Sequence, residues 1–288
     1  MPCKIYTNDS YPFSFTLIPH TTFKFPGGEI GVKILRFSPN YMKNLKIVAH
    51  LRNSDDIWEL IMLREAANAS GMEIEHLYLP YVPYARQDRS CDVGEGTSIK
   101  AFSNVINSLE FDRVTILDPH SDVTPALIKN CHICSQAELL CYVVSKPKLK
   151  TCYLVSPDAG AEKKIYSAAK LANPLGIIKA AKKRNPSTGE IVSTQIVEIP
   201  DTYNKENQGA TALIVDDICD GGRTFIELAK ELKDCGISNI ELYITHGIFS
   251  KGLAPLYEAG IQHIYCANPW ITPEDTESKK FTKYQHLL

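Results

Sequence analysis

The feature that most constrains this chain is a rhythm: short apolar runs of strand length alternate with longer stretches of helical period along most of its length. That alternation is the pattern of an α/β domain, in which helices cover the faces of a mostly parallel sheet. The pattern predicts strands at 30–36, 45–51, 74–79, 113–118, 151–156, 175–179, 211–216, 240–245 and 263–267. Helices are expected at 55–70, where Ser54 can cap, and at 97–109, 137–145, 161–172, 223–235 and 251–259. The segment 190–199, EIVSTQIVEI, alternates as an antiparallel or flap strand does.

Two stretches repeat one plan. VTILDPHSDVTPALIK (114–129) and ALIVDDICDGGRTFIELAK (212–230) both read as a strand, an acidic loop and a threonine that opens a helix. Duplication of one α/β unit explains this, and 288 residues with 44% hydrophobic content suffice for two domains. The short basic, proline-containing stretch SKPKLK marks the expected boundary, giving domains over 1–145 and 146–288, with the polar tail after Pro269 packing back on the first domain or fraying.

Composition excludes several classes of function. A net charge of −2 supplies no basic field for nucleic acid or an anionic membrane, so polyanion binding must be local. The N-terminus MPCKIYTNDSYPF lacks a secretory pattern, and no run approaches the about 20 apolar residues of a membrane span, so a cytoplasmic location is expected. Nine scattered cysteines, an odd number, fit reduced thiols. Cys131-His132-Ile133-Cys134 offers three metal-binding side chains, but no second ligand pair follows at a zinc-like distance.

The strongest chemical signal is LIVDDICDGGRT, 213–224. A buried strand carries Asp216 and Asp217 to its C-terminal end, and Asp220, Gly221, Gly222, Arg223 and Thr224 then open a helix. Such a loop can aim backbone N–H groups at a phosphate, with the helix dipole adding to the attraction. Paired carboxylates beside it suit the hydroxyls of a ribose diol. The bland reading is a solvated strand-to-helix turn.

This stretch resembles the phosphoribosyl-diphosphate motif of type I phosphoribosyltransferases and, more narrowly, of ribose-phosphate diphosphokinases. Tyr84-Ala85-Arg86-Gln87-Asp88-Arg89 is similar to the diphosphokinases' YARQD[RK] segment, and Thr245-His246-Gly247 with Phe249-Ser250 to their THG-x-FS stretch. The resemblance implies two tandem type I phosphoribosyltransferase-like domains, with mostly parallel sheets related by a pseudo-twofold duplication. It implies that Phe25, Glu29, Arg86 and Gln87 bind the nucleotide, that His120 and Asp158 serve Mg²⁺ (Mn²⁺ having similar ligand needs), and that Asp216, Asp217 and the 220–224 loop bind the ribose phosphate. Lys182 and Arg184, before a loop-like NPSTGE, match a catalytic K-x-R pair; without the resemblance they would read as a solvated charge run. ATP and a ribose phosphate are the implied substrates, and a dimer-based homo-oligomer, up to a hexamer, the implied assembly.

The chain also departs from that family. Gly27 replaces an aspartate of FSDGE, Ala161 a glycine of the pyrophosphate loop, and Val93-Gly94 a Ser-Arg pair. The sugar-phosphate loop, D-[TS]-x-G-T in the family, is Asp220-Gly221-Gly222-Arg223-Thr224 here, and the added guanidinium brings ADP-ribose in as an alternative acceptor, for NAD resynthesis. Two further alternatives are a non-catalytic regulatory homologue and a phosphoribosyltransferase that uses the same loop.

Overall fold

The computed structural model describes residues 1–7, 16–35, 42–184, 191–203, 209–271 and 280–283. The expected loop NPSTGE, the last residue of the expected strand 30–36, Glu190 of the flap strand and most of the tail lie outside these residues. By its internal contacts the chain divides into two units after Cys134.

The first unit carries a six-stranded sheet in the order β2-β1-β5-β6-β7-β8. Its strands are β1 (Cys3–Thr7), β2 (Leu17–Ile18), β5 (Leu45–Ala49), β6 (Ile74–Leu79), β7 (Arg113–Leu117) and β8 (Cys131–Cys134). Strands β5 to β8 are mutually parallel, whereas β1 joins both neighbours antiparallel. A separate antiparallel hairpin is formed by β3 (His20–Lys24) and β4 (Ile30–Ile34). Helices α1 (Ser54–Ala69), α2 (Ser98–Ser108) and α3 (Val123–Leu127) complete the unit. Alternation within each strand sends Ile5, Ile47, Leu77 and Ile116 to one face, where they pack with Leu60 and Leu63 of α1 and Ile99 and Phe102 of α2. Asn53, not Ser54, caps α1: its side chain accepts the Asp56 N–H, and the Asp56 carboxylate accepts the Asn53 N–H in return.

Helices α4 (Gln136–Val143) and α5 (Lys146–Leu149) belong to the second unit. The division therefore precedes the basic stretch expected to be the boundary. Pro147 sits in the first turn of α5, where its missing N–H costs nothing, Leu149 is buried, and Lys148 Nζ reaches Glu241 Oε1 at 2.6 Å.

The second unit is built on a seven-stranded sheet in the order β11-β10-β9-β12-β13-β14-β15. These strands are β9 (Cys152–Ser156), β10 (Gly176–Arg184), β11 (Ile191–Glu198), β12 (Thr211–Cys219), β13 (Ile240–Gly247), β14 (Ile261–Pro269) and β15 (Phe281–Lys283), with helices α6 (Glu162–Ala172), α7 (Arg223–Asp234) and α8 (Ala254–Glu258). All adjacent pairs are parallel except β10 with β11, so 191–198 is the antiparallel strand its alternation predicts. All eight residues of β13 are buried, as befits a strand inside a sheet covered on both faces. Of the tail after Trp270, the described residues include one further strand. This strand, β15, pairs with β14 of the second unit, and buried Phe281 meets Phe249 edge-on.

Strands β10 and β12 flank β9 on opposite sides. Growth of the sheet thus reverses at β9, which makes the space beyond the carboxyl ends of β9 and β12 the usual ligand position of an open parallel sheet. Both units are mixed α/β with mostly parallel sheets, and the two similar stretches fall on β7–α3 and β12–α7, with Thr124 and Thr224 each second in its helix. No helix among the described residues is long and apolar enough to cross a membrane.

Candidate active site

At the end of β9 the chain turns through Ser156, Pro157 and Asp158 into α6. Ser156 Oγ donates to the Asp158 carbonyl at 2.9 Å, and Asp158 Oδ1 accepts the Ala161 N–H at 3.1 Å, which fixes the carboxylate just beyond the carboxyl end of β9. Strand β12 runs on past the expected end at 216 to Cys219, so Asp216 and Asp217 lie within it. Asp216 Oδ1 accepts the Asp217 N–H at 2.9 Å. Burial, then the charge of Asp217 and more weakly that of Asp158, push the Asp216 carboxyl well above the usual carboxylate range. Three acids from two strands therefore share one field. Lys164 of α6 answers part of it, with Nζ 3.5 Å from Asp217 Oδ2.

Beyond Cys219 the chain forms the loop that opens α7. Gly222 occupies the left-handed region at φ 77°, and no side chain caps the helix. A Cβ at Gly222 would be both strained and 3.1 Å from Leu256 Cδ2. Phe225 and Ile226 donate their N–H groups to the Gly222 carbonyl at 3.0 and 3.1 Å, which leaves the amides of Arg223 and Thr224, at the very start of α7, as anion donors. The turn after β13 braces this loop: Ile248 and Phe249 donate their N–H groups to the Cys219 carbonyl at 2.9 and 3.0 Å. Ser250 donates through its N–H to the Asp220 carbonyl at 3.2 Å and through Oγ to Asp220 Oδ1 at 2.6 Å. Arg223 is exposed and pairs with Glu227 one turn on, Nε to Oε1 at 2.7 Å.

Strand β10 runs beside β9, with Lys179 opposite Ser156. Its continuation through Lys182 to Arg184 therefore extends past the carboxyl end of β9, on the Asp158 side of the sheet; the two side chains lie outside the described structure.

In the first unit the candidate residues also follow strand ends. Arg86 and Gln87 come after β6, and His120, exposed, comes after β7. Gln87 is held by two side chains, donating Nε2 to Glu95 Oε1 at 3.0 Å and accepting Ser98 Oγ at Oε1. Glu95 also accepts the Cys91 N–H at 2.7 Å, and these two bonds lower its pKa. Phe25 and Glu29 are exposed at the tip of the β3–β4 hairpin, where Phe25 rests edge-on against Phe23 at 5.1 Å and its N–H donates to the Glu29 carbonyl.

Similarity to known proteins agrees with this geometry. A phosphoribosyl transferase domain model matches residues 152–258. Ribose-phosphate pyrophosphokinase of Pyrococcus abyssi is 26% identical over 249 residues, covering 85% of this chain and 82% of its own length. The enzyme of that name from Aquifex aeolicus is 30% identical over 231 residues, covering 78% and 70%. This chain belongs to the ribose-phosphate pyrophosphokinase family. The crystal structure of phosphoribosylpyrophosphate synthetase from Mycobacterium smegmatis superposes with a TM-score of 0.73 at 21% identity, over 93% of this chain and 86% of that one, which shows the shared fold.

As a pyrophosphokinase family member the chain keeps its departures at tolerable places. Ala161 adopts φ −79° with its side chain buried, so a Cβ there introduces no backbone strain. At Gly27 a Cβ would stand 2.6 Å from Glu29 Oε2, so the Glu29 carboxylate takes up the space beside this glycine. The Cys131–Cys134 segment is β8, and period-two alternation sends these two thiols to opposite faces. Sequence reasoning missed Lys164 and the pairing role of Ser250, both long-range partners with no local signature. It also missed the left-handed backbone of Tyr84, Asp118 and Phe249, at φ 65°, 36° and 49°, each inside or beside a candidate segment.

Proposed function

We propose that this family member transfers the β,γ-diphosphoryl group of ATP to the anomeric hydroxyl of ribose 5-phosphate, yielding 5-phosphoribosyl 1-diphosphate and AMP. The observation that carries the reading is the switch point of the second sheet, where paired acids on β12 precede an uncapped, glycine-led helix N-terminus. Asp216 and Asp217 accept hydrogen bonds from the ribose 2- and 3-hydroxyls, and the 220–224 loop receives the 5-phosphate. The 1-hydroxyl oxygen then bonds to the β-phosphorus in line as the bond from that phosphorus to the α–β bridging oxygen breaks. AMP leaves, and the hydroxyl proton passes to solvent.

No protein nucleophile is needed, because phosphoryl transfer is accelerated chiefly by positioning and by neutralising charge on the oxygens in flight. Lys182 and Arg184, carried beyond β9, are assigned that neutralisation. Arg86 and Gln87, with Phe25 and Glu29, are assigned to the nucleotide, and the two-sided tether of Gln87 gives it a preset orientation.

The residues present suit Mg²⁺ held mainly by substrate phosphates. Among the described residues no three His, Cys, Asp or Glu side chains gather into a cage, whereas Mg²⁺ commonly takes one or two protein carboxylates with phosphate and water oxygens. Asp158 is the carboxylate for it and His120 the auxiliary residue, and the ion would supply charge neutralisation on the phosphates. ATP and ribose 5-phosphate are the proposed substrates, and a homo-oligomer the proposed assembly. ADP-ribose is disfavoured because Arg223, the residue that introduced it, pairs with its own helix neighbour Glu227.

Isotope position tests the bond that breaks. With ATP carrying heavy oxygen in the α–β bridge, the label should remain in AMP. Its appearance in released pyrophosphate, or formation of ADP, would place attack at another phosphorus and overturn the reading.

A further inference from the structure

The 220–224 loop has an exposed cation beside it that none of the roles above employs. Gly221 has no side chain, and the point where its Cβ would stand lies 3.9 Å from Lys251 Cγ. The base of the Lys251 side chain therefore stands beside the loop, and Cδ, Cε and Nζ reach on beyond this point of approach. The turn that carries Lys251 is tightly set. Phe249 before it and Gly252 after it are both left-handed, at φ 49° and 70°, and the Gly252 N–H donates to the Phe249 carbonyl at 2.8 Å. Ser250 is fastened to Asp220 by side chain and backbone, so the Lys251 turn and the 220–224 loop form one hydrogen-bonded unit.

Charge points the same way. A phosphomonoester brings up to two negative charges, yet the loop's own charged side chains are the acid Asp220 and Arg223, whose Nε is occupied by Glu227. Lys251 is exposed and forms no ion pair among the described residues. We infer that Lys251 binds the 5-phosphate of the sugar substrate, its ammonium closing over the anion from the side that Gly221 leaves open. This rests on the proposed function, deepening its sugar site: the ligand class is a sugar phosphomonoester dianion, recognised by helix N–H groups on one side and a flexible lysine on the other.

Calorimetric titration of the full chain with ribose 5-phosphate, and separately with inorganic phosphate, tests the assignment. Lys251→Ala should weaken ribose 5-phosphate binding about tenfold, the size expected for one charge-assisted contact. Lys251→Arg should restore most of it, and Lys230→Ala, removing an exposed lysine of α7, should change nothing. Inorganic phosphate should weaken in parallel while the KM for ATP stays constant. Wild-type binding with an unchanged Lys251→Ala protein would overturn this inference and leave the proposed function standing, whereas failure of the wild-type protein to bind ribose 5-phosphate would overturn both.

Discussion

Asp216 shows the conflict that a sugar-binding acid imposes on its own fold. Its carboxyl is pushed up because burial and Asp217 both oppose ionisation. A group whose folded pKa exceeds its unfolded value stabilises the fold below the unfolded pKa, about 3.9 for aspartate, and loses that contribution as pH rises through the folded value. At neutral pH the carboxyl is therefore a net cost to the ligand-free protein. Asp216→Asn should raise the neutral-pH melting temperature by about 2–4 °C for each kcal/mol relieved, with the gain vanishing towards pH 4. The same change should weaken ribose 5-phosphate binding about tenfold or more, through loss of a charged acceptor. A melting series across pH, paired with calorimetry, checks both; a variant less stable at neutral pH would contradict the assignment. This residue was legible in the sequence because chemistry and position coincide: two acids at the end of an apolar run, followed by glycines. Lys164 and Ser250 were not legible, since each acts on β12 or its loop from a distant element, and nothing in the neighbouring residues signals the contact.

Elements were readable where burial imposes a pattern. Strand β12 opens on a continuous apolar run, Ala212–Val215, and β13 is buried along its whole length, while α7 announces itself by the glycines before it and by Phe225, Leu228, Ala229 and Leu232 on its buried side. Short edge elements carried too little pattern. Four-residue β8 presented metal-like spacing, α5 hid in a stretch whose proline marks a helix start, and β15 docked as an edge strand that only long-range pairing reveals. The loop from Gln87 to the start of α2 is another such element. It is held by Glu95, which bonds both Gln87 and the Cys91 amide. Glu95→Ala should speed amide exchange at Cys91 and raise the KM for ATP several-fold while leaving the KM for ribose 5-phosphate unchanged. Unaltered exchange at Cys91 would show that the tether is not what orders the loop.

At the scale of the whole chain, family membership and sheet topology carry complementary parts of the account. The matched domain model spans 152–258, which contains β9, β12 and the loop of α7, so the sugar-phosphate reading rests on the second unit alone. The nucleotide reading draws on residues of the first unit, whereas Lys182 and Arg184, the proposed charge-neutralising pair, belong to β10. The shared strand–loop–helix plan of β7–α3 and β12–α7 was legible, but the order of the second sheet was not, because the β10–β11 insertion that makes β9 the switch point leaves no mark in local periodicity. The most direct test of the proposed diphosphoryl transfer is a product balance with Mg-ATP and ribose 5-phosphate. AMP and 5-phosphoribosyl 1-diphosphate should form in equal amounts, and Lys182→Ala should slow the reaction about a hundredfold or more, as loss of a charge-stabilising group does. Formation of ADP, or no AMP from the wild-type protein with this acceptor, would contradict the account.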